Sequence, residues 1–427
     1  MTKVVNIIGG GPAGFAAARA LVSEPYDFRI NIFERRKHPG GVWEYTGEGP
    51  MYERLDTNIY KELMEYKQTP FPSHLPRFLD RFDVLKYVEN YSHLVADHDA
   101  ITVFWDTEVT SLTKVKGQWA FTFDRDDIEP SASDFVIIAT GHYETPFYPN
   151  VPGLSELRKS SPELVTHSKF YISPQPYKNK KILVIGNGSS GVDISIQLLS
   201  VTEQLYISRR HEAAADQIFD ENVDVVWKPE AIKVDEHGNV TFEDQSVERF
   251  EVILCSTGYL YKLPFIERNE SSKLAVALID PSGARIRNLY KYIFFIDDPA
   301  LAFVGLNKQV VPMPLSESQG AVIARIFSGR LQLPSAAEMR EDEKRTVERK
   351  GSGSKYFNLG YPADVEYMHM LNDWADRSGQ GGFFAERWAE DKSQMRKEIG
   401  EVKLREYARK KKEAVAERTL QSKPGKS

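Results

Sequence analysis

The apolar positions of the chain fall in short runs that stop abruptly at glycine or at charge. Val4-Val5-Asn6-Ile7-Ile8 ends at Gly9, and Phe15-Ala16-Ala17-Ala18-Arg19-Ala20-Leu21 follows with the residue types of a helix. A second run, Arg29-Ile30-Asn31-Ile32-Phe33, stops at Glu34. Runs of this length between turn residues predict buried strands, and the order strand, helix, strand predicts a parallel βαβ unit. The same order returns later. Lys181-Ile182-Leu183-Val184-Ile185 predicts a strand, Val192 to Leu199 a helix, and Leu205-Tyr206-Ile207 a strand ending at Ser208-Arg209-Arg210. Each unit is closed by a matching element: Asp134-Phe135-Val136-Ile137-Ile138-Ala139-Thr140-Gly141 in the first, Glu251-Val252-Ile253-Leu254-Cys255-Ser256-Thr257-Gly258 in the second. An acid, an apolar strand and a terminal Thr-Gly recurring in this way is a repeat of fold.

The turns between first strand and helix carry the chemistry. Gly9-Gly10-Gly11-Pro12-Ala13-Gly14 and Gly186-Asn187-Gly188-Ser189-Ser190-Gly191 both match G-x-G-x-x-G. The first glycine permits the tight turn, the second lets backbone approach a pyrophosphate, and the third lets helix and strand pack closely. The helix N-terminus presents free N–H groups to the phosphates. Alone the motif is weak; in the order strand, loop, helix, strand and terminal acid it predicts a bound dinucleotide. Glu34 stands where a carboxylate accepts hydrogen bonds from ribose hydroxyls. At the second site the acid is missing and Ser208-Arg209-Arg210 replaces it. A carboxylate there would repel a 2′-phosphate, whereas arginine binds one, so this site is expected to prefer NADPH over NADH with Arg210 or Arg209 as the clamp. The fold class expected is α/β: two Rossmann-like dinucleotide-binding domains, the NADPH domain inserted in the first.

Composition narrows the function. The chain has 427 residues, 61 acidic and 55 basic side chains, and a net charge of −6. An acidic balance argues against a general nucleic-acid binder. One cysteine in the chain excludes an internal disulfide framework, a Cys-x-x-Cys pair and a cysteine zinc cluster, and fits a reducing, cytoplasmic compartment. No stretch approaches the roughly 20 apolar residues of a membrane helix. Val4–Ile8 is too short for the apolar core of a signal peptide. No metal-ligand spacing is present, and no metal is expected.

Proline and glycine set the boundaries. Residues 1–145 are expected to form the first part of the first dinucleotide domain, with Pro146, Pro149, Pro152 and Gly153 marking a stiff connection. Residues 146–262 form the NADPH domain. Residues 263–427 return to the first domain and add a helical extension. A helix is expected from about Ser316 to Gly329, then a charged helix or loop from Glu338 to Lys350 and a flexible break at Gly351-Ser352-Gly353-Ser354. The last forty or so residues alternate basic and acidic side chains, with Ile399, Val402, Tyr407 and Val415 too sparse for a strong apolar face. They read as a solvated helix and a frayed tail, the competing reading being a weak membrane-surface or partner helix.

At this point the motifs carry a resemblance. Phe33-Glu34-Arg35-Arg36-Lys37-His38-Pro39-Gly40-Gly41-Val42-Trp43 resembles the FAD-binding continuation of flavoprotein oxygenases. Together with both glycine loops, Leu55-Asp56-Thr57-Asn58, Ala139-Thr140-Gly141-His142-Tyr143, His167 and Thr257-Gly258-Tyr259, it resembles the flavin-containing monooxygenases, in particular the short soluble fungal type, over about residues 1–335. The family fingerprint F-x-G-x-x-x-H is half kept: His167 and Tyr171 are present, but Ser161 and Glu163 stand at its Phe and Gly positions. Baeyer–Villiger relatives carry Trp or Pro where Tyr171 sits.

The resemblance implies FAD in the first loop and NADPH in the second. NADPH delivers hydride to FAD, reduced flavin takes up O2 as a C4a-hydroperoxide, and a soft nucleophile (thiol or sulfide sulfur, or amine nitrogen) attacks the distal oxygen. The cofactor carries the chemistry and the protein supplies placement and a dry site, which fits the absence of a motif-borne triad or carboxylate pair. Asn58 is the expected catalytic residue, since the family's Thr-Asn pair, here Thr57-Asn58, contacts the cofactors. On the residues alone Asn58 reads equally as the N-cap of a helix through Ile59-Tyr60-Lys61-Glu62-Leu63-Met64. Further cofactor-facing candidates are Arg35, Val109, His142, Asp193, Thr257, Gly258 and Gln319, the last expected to open a helix whose N-terminus faces the flavin. His167 reads as a hinge or interface residue, and Cys255 as core. Two other functions fit the same loops: an NADPH–FAD reductase passing electrons to an acceptor other than oxygen, and a non-catalytic NADPH sensor. Substrate identity and oligomeric state are not legible.

Overall fold

The computed structural model describes residues 2–128, 132–202, 204–220, 224–267 and 272–421. It divides into two compact units. The first comprises Met1–Glu44, Ile59–Thr145 and Leu260–Lys397; the second comprises Tyr45–Asn58, Pro146–Tyr259 and Glu398–Ser427. Two segments depart from the boundaries expected above. Residues 45–58 and those from 398 onward both group with the second unit.

The first unit is built on a seven-stranded sheet. Its order is Leu289–Tyr290, Phe294–Phe295, Leu301–Phe303, Phe135–Ile138, Lys3–Ile8, Phe28–Phe33 and Ile101–Phe104. The five strands from Leu301–Phe303 onward run parallel, with Val5 facing both Ile30 and Phe135 in register. Central parallel strands are covered on both faces, which is why their residues are apolar without alternation; Val5, Ile7, Ile30, Ile32, Val136 and Ile137 are fully buried. Helix Pro12–Val22 packs on helix Pro312–Phe327, and its buried alanines keep that contact close. The latter helix starts four residues before the expected Ser316, because Pro312 at its first turn has its φ preset and lacks only an N–H that the helix would not use. Residues Ala336–Lys350 form a helix, closed by a capping box in which Ser335 and Glu338 each satisfy the other's backbone N–H.

The second unit repeats the design in smaller form. Its five-stranded parallel sheet has the order Val226–Lys228, Gln204–Ser208, Lys181–Ile185, Val252–Cys255 and Val165–His167. A three-stranded antiparallel sheet, Ala231–Val234, Asn239–Phe242 and Val247–Arg249, packs beside it. Helix Ser189–Leu198 rises from the second glycine loop.

The C-terminal segment differs from expectation. It is one helix, Glu390–Gln421, whose residues from 398 onward belong to the second unit. Ile399, Lys403, Tyr407 and Ala414 are buried, and Tyr407 and Ala414 join the second unit's core with Tyr52, Tyr171, Ile194 and Leu198. The stripe escapes a hydrophobicity pattern because two of its members bury an apolar body under a polar tip. The expectation of a frayed tail falls in part on residues 422–427, which lie outside the described residues. Among the described residues no helix is long and apolar enough to cross a membrane, and no group of three or more His, Cys, Asp or Glu side chains could hold a metal ion.

Candidate functional site

The first glycine loop is shaped by contacts that leave no room for side chains. Gly9 has φ +108°, and a Cβ on it would stand 2.6 Å from the Ala139 carbonyl oxygen; one on Gly14 would overlap the Gly9 carbonyl. The turn Gly41–Trp43 lies across the loop, so that a Cβ on Gly41 would meet Gly11 Cα at 3.0 Å. The structure therefore gathers Gly9, Gly10, Gly11, Pro12, Ala13 and Gly14 with Gly41, Val42, Trp43, Thr140 and Gly141, the last two on an exposed turn. Helix Pro12–Val22 has Gly11 as its N-cap and no side chain capping it, which leaves its first N–H groups to an anion.

Glu34 does more than wait for a ribose. Its Oε2 accepts the Gly10 N–H at 2.7 Å and its Oε1 accepts the Arg36 N–H at 2.9 Å. Burial raises its pKa, and the two N–H groups and Arg36 work against that rise. Each oxygen keeps a second lone pair for a hydroxyl. Arg35 is exposed and pairs with Glu144 at 2.5 Å. Val109 opens the strand Val109–Val115 and is buried.

His142 is packed between the rings of Tyr143 and Tyr261, with centroids 4.3 and 5.1 Å away. Burial and the nearby Lys308 ammonium push its pKa down to about 3, so it is neutral at any working pH. Lys308, which lies over the Tyr261 ring at 4.4 Å, is itself pushed down to about 8 by burial. No motif announced Lys308; its only sequence signal is a cation between apolar runs. Gln319 is not at a helix opening. It lies well inside Pro312–Phe327, fully buried; its Oε1 accepts the Gly305 N–H at 3.0 Å and its Nε2 donates to Asn307 Oδ1 at 3.1 Å. It braces the Gly305 turn, where a Cβ would meet Ala13 Cβ at 3.1 Å.

The second loop reproduces the first within its own unit. Gly186 has φ +104°, a Cβ there would stand 2.6 Å from Ser256 O, and one on Gly191 would overlap the Gly186 carbonyl. Gly188, Ser189 and Ser190 are exposed, Gly188 is an N-cap without a side-chain capping bond, and space is open where its Cβ would stand. Thr257 and Gly258 close the same edge, where Thr257 Oγ1 donates to the Phe147 carbonyl. Ser208 is buried and donates to Pro229 O at 2.8 Å. The two arginines differ. Arg209 pairs with Asp216 and lies 4.0 Å over the Trp227 ring. Arg210 is two-thirds exposed and pairs with Glu230 at 2.6 Å. Asp193 does not face a nucleotide freely: Tyr52 donates to its Oδ2 at 2.6 Å, Gln197 to the same oxygen at 3.0 Å, and Lys410 pairs with its Oδ1 at 3.4 Å. His167 sits edge-on to Tyr148 and Tyr259, and burial pushes its pKa to about 4, too weak a base for work near neutrality. Cys255 is buried, and burial pushes its thiol up to about 12.

Thr57 is buried and Asn58 exposed at the end of segment Tyr45–Asn58. The helix that Asn58 was expected to cap begins at Lys61 with Tyr60 as N-cap, so the capping reading fails. Asn58 Oδ1 instead accepts the Tyr407 hydroxyl at 3.2 Å. In sum, two uncapped helix N-termini, each beside a tight glycine turn, fit the pyrophosphates of two dinucleotides. One carries a buried carboxylate and the other an arginine pair.

A model of the family described as flavin-binding monooxygenase-like matches residues 2–224 and 215–379. The thiol-specific monooxygenase of Saccharomyces cerevisiae is 33% identical over 390 residues, covering 87% of this chain and 85% of that protein. The flavin-containing monooxygenase FMO GS-OX-like 4 of Arabidopsis thaliana is 30% identical over 86% of each chain. Among solved structures, S-allyl-L-cysteine S-oxygenase from Allium sativum superposes with a TM-score of 0.80 at 25% identity, over 99% of this chain and 98% of that one.

Proposed function

Since the chain belongs to the flavin-binding monooxygenase-like family and is an NADPH-dependent flavin monooxygenase of soft nucleophiles, we propose that it oxygenates small thiols and sulfides at sulfur. The observation that carries this reading is the pair of glycine cradles, each intact and each differently equipped at its second strand. Two relatives named for sulfur substrates support sulfur over nitrogen.

Bound FAD, reduced by NADPH, supplies the activated oxygen. The chain's own residues hold and shield. The N-termini of helices Pro12–Val22 and Ser189–Leu198 bind the pyrophosphates. Glu34 fixes the first loop and accepts from the ribose; Arg210 binds the 2′-phosphate. Asn58 presents its amide to the reacting cofactors as a donor that brings no mobile proton. The neutral His142, packed between its tyrosines, brings no mobile proton to the first site. A reducing, cytoplasmic setting suits an enzyme whose one thiol is buried and unreactive.

Oxygen uptake and NADPH consumption with cysteamine, thioanisole and trimethylamine test the reading. Oxygenated sulfur product in step with NADPH is expected from the first two. Turnover of the amine alone would overturn the sulfur assignment. NADPH oxidation equally fast without oxygen, given an electron acceptor, would point to a reductase.

A further inference from the structure

Three consecutive residues, Asp56, Thr57 and Asn58, are each held by one side chain of the C-terminal helix. Lys410 Nζ pairs with Asp56 Oδ2 at 2.7 Å, Lys403 Nζ donates to the Thr57 carbonyl at 2.9 Å, and the Tyr407 hydroxyl donates to Asn58 Oδ1 at 3.2 Å. Spacings of four and three put 403, 407 and 410 on one helical face. The grip is anchored in the core. Tyr407 and Lys403 are buried, and the Lys403 ammonium lies 4.8 Å over the Tyr407 ring.

We propose that this helix face positions the catalytic amide: Tyr407 sets the orientation of the Asn58 side chain, and Lys403 and Lys410 fix the backbone that carries it. The inference rests on the role given to Asn58 above. An asparagine side chain can present either its oxygen or its NH2 group. With Oδ1 accepting from Tyr407, this exposed residue has its NH2, which carries two donors, left for a ligand. Burial raises the Tyr407 pKa, so the phenol keeps the proton that it donates to Asn58 Oδ1. A flipped Asn58 would make the hydroxyl the acceptor, leave the phenol proton without Oδ1 and turn an acceptor toward the cofactors. Tyr407 is therefore a positioning residue, acting through Asn58.

The test uses the FAD-loaded protein, reduced with NADPH under nitrogen and mixed with oxygen in the absence of substrate. The readouts are the return of oxidised-flavin absorbance and the H2O2 released, both per bound FAD. Loss of one neutral hydrogen bond predicts that Tyr407→Phe, which keeps the ring in the core, leaks about 3- to 10-fold faster than wild type. Asn58→Ala leaks at least as fast, and the double variant no faster than Asn58→Ala alone. A purely structural Tyr407 would lower FAD content and leave the rate per bound FAD unchanged, which would overturn the proposal; so would a double variant showing the product of the two single effects. If Tyr407→Phe does not fold, Lys403→Met removes the bond to Thr57 while keeping a buried apolar stem. It should leak faster in wild type and have no effect in Asn58→Ala; any other pattern sinks the positioning role. If Asn58→Ala matches wild type, the catalytic reading of Asn58 itself has failed and the inference falls with it.

Discussion

Glu34 accepts the backbone N–H of Gly10 at 2.7 Å, so the residue that ends the second strand also holds the centre of the glycine loop. Removing the carboxylate leaves that buried N–H without a partner, at about 1–3 kcal/mol. Glu34→Ala should raise the FAD dissociation constant by about tenfold or more by that principle, and Glu34→Gln, which keeps one acceptor, by less. Fluorescence titration of apoprotein with FAD measures both. Equal affinity in Glu34→Ala and wild type would show that the bond is dispensable.

The unequal settings of the two arginines make a second prediction. Arg210 can leave Glu230 for a phosphate, whereas Arg209 is locked between Asp216 and Trp227. Arg210→Ala should lower kcat/KM for NADPH by about 10- to 100-fold, as expected for a lost charge-assisted pair, and leave NADH nearly unchanged. Arg209→Ala should instead lower the melting temperature. The ratio of kcat/KM for the two nucleotides decides which residue is the clamp.

Glu317 gives a prediction about pH. It is fully buried in helix Pro312–Phe327, accepting from the Lys67 N–H at 2.9 Å and the Tyr91 hydroxyl at 3.3 Å. Burial pushes its pKa from the ordinary 4.5 up to about 7. Between those values the folded protein binds more protons than the unfolded chain, so this group's contribution to stability is full below about pH 4.5 and is lost as pH rises to about 7. Glu317→Gln abolishes that loss. Its melting temperature relative to wild type should be more favourable at pH 8 than at pH 5; the same difference at both pH values would contradict the assignment.

Cys255 should be silent. A thiol pushed up to about 12 inside a fully buried strand is neither ionised nor reachable. Native protein should resist an aromatic disulfide reagent that titrates one thiol after denaturation, and Cys255→Ala should retain oxygenase activity. Loss of activity with FAD still bound would reopen a redox role for it.

What the sequence made legible were features dictated by backbone geometry. Both glycine loops, their strands and the acid at Glu34 could be read because only glycine fits against Ala139 O and Ser256 O. Features set by long-range side-chain bonds were not legible. Asn58 looked like a helix cap because the helix expected from Ile59 followed it directly, whereas its partner, Tyr407, is 349 residues further along the chain. Gln319 and Asp193 looked available to cofactors, but buried amides and carboxylates take whatever partners the fold offers, here Gly305, Asn307, Tyr52 and Gln197. The C-terminal stripe was hidden because Lys403 counts as polar in any hydropathy scale while its stem is buried.

The second unit's core unites Tyr52, Tyr171, Ile194 and Ala414, drawn from three separate stretches of chain. During synthesis the ribosome delivers Tyr52 early and Ala414 late, about 20–70 s apart at roughly 5–20 residues per second. That unit therefore has to wait, incomplete, for helix Glu390–Gln421, and a nascent protein can hold NADPH in a finished domain only once that helix has emerged.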